Sequence, residues 1–182
     1  MVTHKASDIA RALRECGAIE YGNFQLASGL ESNWYVDIKT AMTDPDLLCM
    51  VARTIAGQSG FDVVAGVAVG AVPLAVAVSL TSRKPYAIIR REAKGYGKSG
   101  TLIGDVSGRR VLLVEDVVTT GGSVLLGVEV LRQAGATVRD VVCVVDREQG
   151  GEALLEKAGI QLHSLIRLSE LLDRVGPGGQ EL

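Results

Sequence analysis

Glu115 and Asp116 are adjacent carboxylates that close the apolar run Val111-Leu112-Leu113-Val114 and lead into Val117-Val118-Thr119-Thr120-Gly121-Gly122-Ser123. Two neighbouring acids at the end of a buried strand repel each other and lose hydration, a cost that a metal ion or sugar hydroxyls can offset. The turn after them is made of hydroxyls and glycines, the residues that let backbone N–H groups converge on an anion. Val124, Val128 and Leu131 then recur at i, i+4 and i+7, so the turn is expected at the N-terminus of a helix, where the macrodipole favours phosphate. Such a constellation suits a phosphorylated sugar. An ordinary strand-loop-helix connection would also put Thr, Gly and Ser at a helix start; the paired acids are what set this segment apart.

Three further segments carry chemistry. Arg90-Arg91-Glu92-Ala93-Lys94-Gly95-Tyr96-Gly97 concentrates cations among glycines, which suits a polyphosphate, or else a basic surface loop. Gly66-Val67-Ala68-Val69-Gly70-Ala71-Val72-Pro73 is a small-residue stretch that lets backbone amides approach an anion, or a plain turn before a helix. Asp146-Arg147 follows another apolar run, and its guanidinium matches a carboxylate in two-point fashion, or closes a strand-end ion pair.

The elements that must hold these residues follow from hydrophobic patterning. Continuous apolar runs at 63–69, 86–89, 111–114 and 141–145 are expected to be parallel strands buried on both faces, and the segments 74–80, 124–134 and 152–158 to be the helices between them. Alternation of this kind defines an α/β fold, a doubly wound, mainly parallel sheet flanked by helices. In such sheets ligands gather at the carboxyl ends of the strands, where all four chemical segments lie. Upstream, a helix is expected with Ser7 as N-cap, Ile9, Leu13 and Cys16 on one face and a stop at Gly17; a second opens at Asp44-Pro45 and ends near Gly57. Residues 19–39, with Tyr21, Phe24, Trp34 and Tyr35 around Ser28-Gly29, suggest a small hairpin whose aromatics form a mini-core or a lid over a planar base.

Composition narrows the function classes. The chain has 182 residues, 47% of them hydrophobic, enough for one domain with a proper core. A net charge of −2 argues against a nucleic-acid surface. Cys16, Cys49 and Cys143 are odd in number and set among apolar neighbours, as expected of buried thiols in a reducing cytoplasm, and His4 and His163 are too far apart in sequence for a metal pair. No stretch reads as a signal peptide or a membrane helix.

The segment 111–123 closely resembles the phosphoribosyl pyrophosphate (PRPP) signature of the type I phosphoribosyltransferases. The basic run is similar to the mobile catalytic loop of the orotate-specific members of that family, and residues 24–39 and 146–150 look like their hood and acceptor segments. The resemblance covers nearly the whole chain and implies a single domain over 1–182, with hood elements at 1–40, a PRPP-binding core at 60–170 and a mobile loop at 92–107. It implies catalytic roles for Lys94 and Asp116. PRPP contacts would come from Arg90, Arg91, Lys94, Tyr96, Glu115, Asp116, Val117, Val118, Thr119, Thr120, Gly121, Gly122 and Ser123, and a pyrophosphate loop from Val69, Gly70 and Ala71. Thr119 and Arg147 would contact orotate.

By the same resemblance, Mg²⁺ arrives bound to PRPP rather than in a protein-only site, and the chain forms a homodimer with the loop shared between subunits. The implied reaction converts orotate and PRPP to orotidine 5′-monophosphate and pyrophosphate in de novo pyrimidine synthesis. A purine-type phosphoribosyltransferase and a PRPP-sensing regulator are the alternatives. This chain departs from the family's usual residues at four places: Tyr96 for His, Arg91 for Lys, Gly70 for a Lys of some members, and Ala27 for Lys. No residue is nominated as general base.

Overall fold

A computed structural model describes residues 5–25, 31–58, 60–90 and 101–172. Its elements in chain order are α1 (Ala6–Glu15), β1 (Ile19–Gln25), β2 (Glu31–Val36), α2 (Ile38–Ala41), α3 (Pro45–Ala56), β3 (Val63–Val67), α4 (Val72–Ser82), β4 (Tyr86–Ile89), β5 (Leu102–Ile103), β6 (Val111–Val118), α5 (Gly122–Gln133), β7 (Asp140–Asp146), α6 (Gly151–Lys157), β8 (Gln161–Arg167) and α7 (Leu168–Leu172).

The apolar runs become the middle of a six-stranded sheet of order β5-β4-β3-β6-β7-β8, parallel except for β5. Successive side chains of a strand point to opposite faces. Val64, Leu112, Val114, Val142 and Val144 therefore pack under α1, α3, α4 and α7, whereas Val63, Ala65, Val111, Leu113, Val141 and Cys143 pack under α5 and α6. Helices on both faces explain why these strands lack polar alternation. Cys143 is fully buried, and burial pushes its thiol far above its usual range, so it is an inert core residue.

Several boundaries differ from the expectations. β6 runs through Glu115 and Asp116 to Val118, because its ladder with β7 continues (Glu115↔Cys143, Val117↔Val145, Val118↔Asp146) and backbone pairing does not depend on side-chain polarity. β3 stops at Val67, before the expected end at 69. Ser7 is not the cap of α1: the helix starts at Ala6 after Lys5, whose amide donates to Asp8 Oδ2 at 3.3 Å, and only Ile9, Ala10 and Leu13 are buried. Asp44 does cap α3, accepting from the amides of Asp46 and Leu47 at 3.0 and 2.9 Å, with Pro45 at the first helical position.

β8 and the two-residue β5, both at sheet edges, have no counterpart in the sequence reading, nor do the short helices α2 and α7. Residues 101–107, expected to belong to the mobile loop, are tied to the sheet: Leu102 and Ile103 pair with β4, and Val106 is buried. The expected hairpin is the antiparallel pair β1–β2, in which the rings of Phe24 and Tyr35 lie 5.6 Å apart. Its turn, Ser28-Gly29, lies outside the described residues.

From β3 the chain winds through α4 to β4 on one side, then returns to β6 on the other. The direction of winding reverses between β3 and β6, which leaves a crevice beyond their carboxyl ends.

Candidate active site

Two loops meet in that crevice. The first leaves β3 through Ala68, Val69 and Gly70; the Ala68 amide donates to Ile89 O at 2.7 Å and the Ala68–Val69 peptide is cis. The amides of Val69 and Gly70 find no acceptor among the described residues, Val69 is 81% exposed, and Ala71 begins α4 without a side-chain cap. The loop therefore offers uncommitted backbone donors, as an anion site requires.

The second is the end of β6. Glu115 and Asp116 are both buried. Glu115 Oε1 accepts from the Asp116 amide at 3.2 Å, and Asp116 Oδ1 accepts from the Val117 amide at 3.0 Å. Asp116 Oδ2 is buried with no hydrogen-bond partner, and Asp116 joins no ion pair among the described residues. An ionised carboxylate in this state is costly in isolation, so it marks a place where a ligand supplies hydroxyls or a cation. The Gly70 backbone is its neighbour: a Cβ built on Gly70 would lie 2.6 Å from Oδ2. The loop is thus packed directly on the acid.

The turn 119–123 completes the crevice. Gly121 takes a left-handed φ of 82° and starts α5 without any side-chain cap, so the first-turn amides of that helix remain free for an anion. Val117 and Thr119 are half-buried, Val118 is buried, and Thr120, Gly122 and Ser123 are exposed at the mouth. The turn is braced by the start of α6, where the Gly151 amide donates to Thr119 O at 3.1 Å.

Arg147 enters from the next strand. Its amide donates to Val118 O at 2.8 Å, and its Nε is buried with no partner among the described residues. It makes no ion pair with Asp146, whose Oδ1 instead accepts from the Glu148 amide at 2.9 Å. The simple strand-end ion pair is therefore absent among the described residues. Arg90 borders a cleft of about 330 Å³ together with Ser123, Ile89 and Leu126, and its amide donates to Thr101 O at 2.6 Å. Arg91, Lys94 and Tyr96 lie outside the described residues. In the hood segment, Asp37 is committed to structure: its carboxylate caps α2, accepting from the Thr40 amide and hydroxyl at 3.0 and 2.7 Å, which hold it below the usual carboxylate range.

Two neighbours of Arg147 take contacts that the sequence did not indicate. Asp146 is a third buried acid at the strand ends, and Glu148 fastens the Arg147 turn to α7. Their role depends on contacts far apart in the chain. Among the described residues no three His, Cys, Asp or Glu side chains gather as a metal cluster.

A buried unpaired acid, an uncapped helix start and a glycine loop, joined at the switch point of a doubly wound sheet, define the class. Residues 49–160 match the phosphoribosyl transferase domain, and the chain belongs to that family. Within it the relatives agree. An orotate phosphoribosyltransferase of Methanoculleus marisnigri is 59% identical over 91% of this chain and 97% of its own length, and one of Methanocorpusculum labreanum is 57% identical over 85% and 92%. Among solved structures, the orotate phosphoribosyltransferase of Aeropyrum pernix superposes with a TM-score of 0.81 at 35% identity, covering 94% of this chain and 99% of that one. The Mycobacterium tuberculosis enzyme in complex with PRPP superposes with a TM-score of 0.76 at 28% identity, covering 91% and 98%.

Proposed function

We propose that this chain transfers the 5-phosphoribosyl group of PRPP to orotate, giving orotidine 5′-monophosphate and pyrophosphate in pyrimidine synthesis. The observation that carries the reading is Asp116, a buried carboxylate with a free Oδ2, set between the Gly70 loop and the uncapped start of α5. A bond forms between the orotate ring nitrogen and the ribose anomeric carbon as the bond to pyrophosphate oxygen breaks. The amides and hydroxyls of Thr119, Thr120, Gly121, Gly122 and Ser123 hold the 5′-phosphate, as the free first-turn donors of α5 favour. Glu115 and Asp116 face the ribose hydroxyls.

Val69, Gly70 and Ala71 receive the pyrophosphate on backbone donors, and Arg90, Arg91, Lys94 and Tyr96 stabilise the charge that builds on it as it leaves. Lys94 makes the main catalytic contribution. Thr119 and Arg147 grip the orotate, Arg147 through its carboxylate. Glu115 and Asp116, whose Oδ2 is a hard oxygen without a hydrogen-bond partner, would face a Mg²⁺ carried by PRPP, which would offset their repulsion of its pyrophosphate. The family resemblance implies a homodimer in which the basic loop is shared between subunits. Three free cysteines suit the cytoplasm.

The test mixes the protein with PRPP and Mg²⁺ and follows pyrophosphate release with orotate, adenine, hypoxanthine or uracil as acceptor. Release with orotate supports the reading. Turnover of a purine and not of orotate overturns it.

A further inference from the structure

Glu148, one residue beyond Arg147, holds a left-handed φ of 57°. A residue with a side chain stays in that region only when its surroundings hold it there. Three hydrogen bonds do so: the Glu148 amide donates to Asp146 Oδ1 at 2.9 Å, and Glu148 accepts from the Ser169 amide on Oε2 at 2.8 Å and from the Ser169 hydroxyl on Oε1 at 3.1 Å. On its other side, the Arg147 amide is fixed to Val118 O at 2.8 Å. The backbone of Arg147 is thus anchored at both ends, to β6 and to the junction of β8 with α7.

Its side chain has no comparable support. Nε is buried without an acceptor, and no carboxylate pairs with the guanidinium among the described residues. The direction of this cation therefore depends on the backbone that carries it. We propose that Glu148 is a positioning residue for the acceptor: locked on Ser169, its carboxylate sets the turn that aims Arg147 at the carboxylate of a planar, anionic base. This rests on the reading that Arg147 binds the orotate carboxylate. The two Ser169 donors also hold the Glu148 carboxyl below its usual range, so the clamp is charged at neutral pH.

Steady-state kinetics of Glu148→Ala, Glu148→Gln, Ser169→Ala, Arg147→Ala and the double variant Glu148→Ala/Arg147→Ala test the proposal. Glu148→Ala raises KM for orotate about tenfold and leaves KM for PRPP within about twofold. Glu148→Gln, which keeps an acceptor oxygen for the Ser169 amide, restores most of the loss. Ser169→Ala, which removes the hydroxyl donor alone, raises the orotate KM about threefold. The double variant is no worse than Arg147→Ala, because Glu148 acts through Arg147. Equal rises in both KM values, or a fall in Tm with both KM values unchanged, would overturn the proposal as merely structural. A normal orotate KM in Arg147→Ala would overturn the underlying reading and the proposal with it, whereas a raised one beside a normal Glu148→Ala would overturn the proposal alone. Should Glu148→Ala fail to fold, Ser169→Ala decides by the same split.

Discussion

The backbone of Gly70 lies against the carboxylate of Asp116, so close that a Cβ at position 70 would stand 2.6 Å from Oδ2 and 3.0 Å from Oδ1. One contact thus joins the loop after β3 to the acid of β6 across the switch point of the sheet. A side chain leaving Gly70 would first meet the buried acid.

Gly70→Ala is expected to displace Asp116 or the loop. Overpacking of this kind costs about 1–3 kcal/mol, and here the strain falls on the proposed ligand atoms. KM for PRPP is expected to rise at least about tenfold, with KM for orotate changed much less. Gly70→Lys is expected to fare no better. Initial-rate kinetics over both substrates check this.

Gly151→Ala tests the brace behind the turn 119–123. A Cβ there would lie 2.5 Å from Val118 Cγ1 and 2.7 Å from Thr119 O, and the second contact is with backbone that cannot rotate away. Urea unfolding is expected to show a loss of about 1–3 kcal/mol, accompanied by a higher KM for PRPP. Gly159→Ala is the control. Its φ is 70° with open space around it, so about 1–2 kcal/mol of stability goes while the kinetics stay unchanged.

Asp62 and Arg110 give stability a pH dependence remote from the site. Arg110 Nη2 and Nε donate to the two Asp62 oxygens at 2.7 and 3.0 Å, and the Arg110 amide donates to Oδ2 at 3.0 Å. The Arg110 side chain, then its amide, hold the Asp62 carboxyl well below its usual range. A carboxyl whose pKa is lower in the folded chain stabilises it fully above the unfolded pKa, about 3.9, and loses that contribution as pH falls through the folded value. The wild-type urea midpoint is therefore expected to exceed that of Asp62→Asn near neutral pH, with the gap narrowing below about pH 4. Because the pair is solvent-exposed the gap is small.

The central strands were legible in the sequence because most of their residues are buried between helices, which leaves continuous apolar runs at 63–67, 86–89, 111–114 and 141–145. β8 was not: at the sheet edge Gln161, His163 and Ser164 interrupt its pattern, and His163 Nε2 is spent on Asp140 Oδ1 at 2.9 Å. Composition placed the turn 119–123 at a helix start, since Thr, Gly and Ser before a helical pattern are a local signal. The contact of Gly70 with Asp116 and the clamp of Glu148 on Ser169 join distant segments, and only the fold brings them together.

Asp116→Asn tests the account most directly. The amide side chain keeps an oxygen for the Val117 N–H and removes a buried carboxylate that joins no ion pair among the described residues, so Tm is expected to hold or rise. Orotate-dependent pyrophosphate release from PRPP is expected to fall about hundredfold or more. Wild-type turnover in a folded Asp116→Asn protein would contradict the assignment of this crevice as the active site.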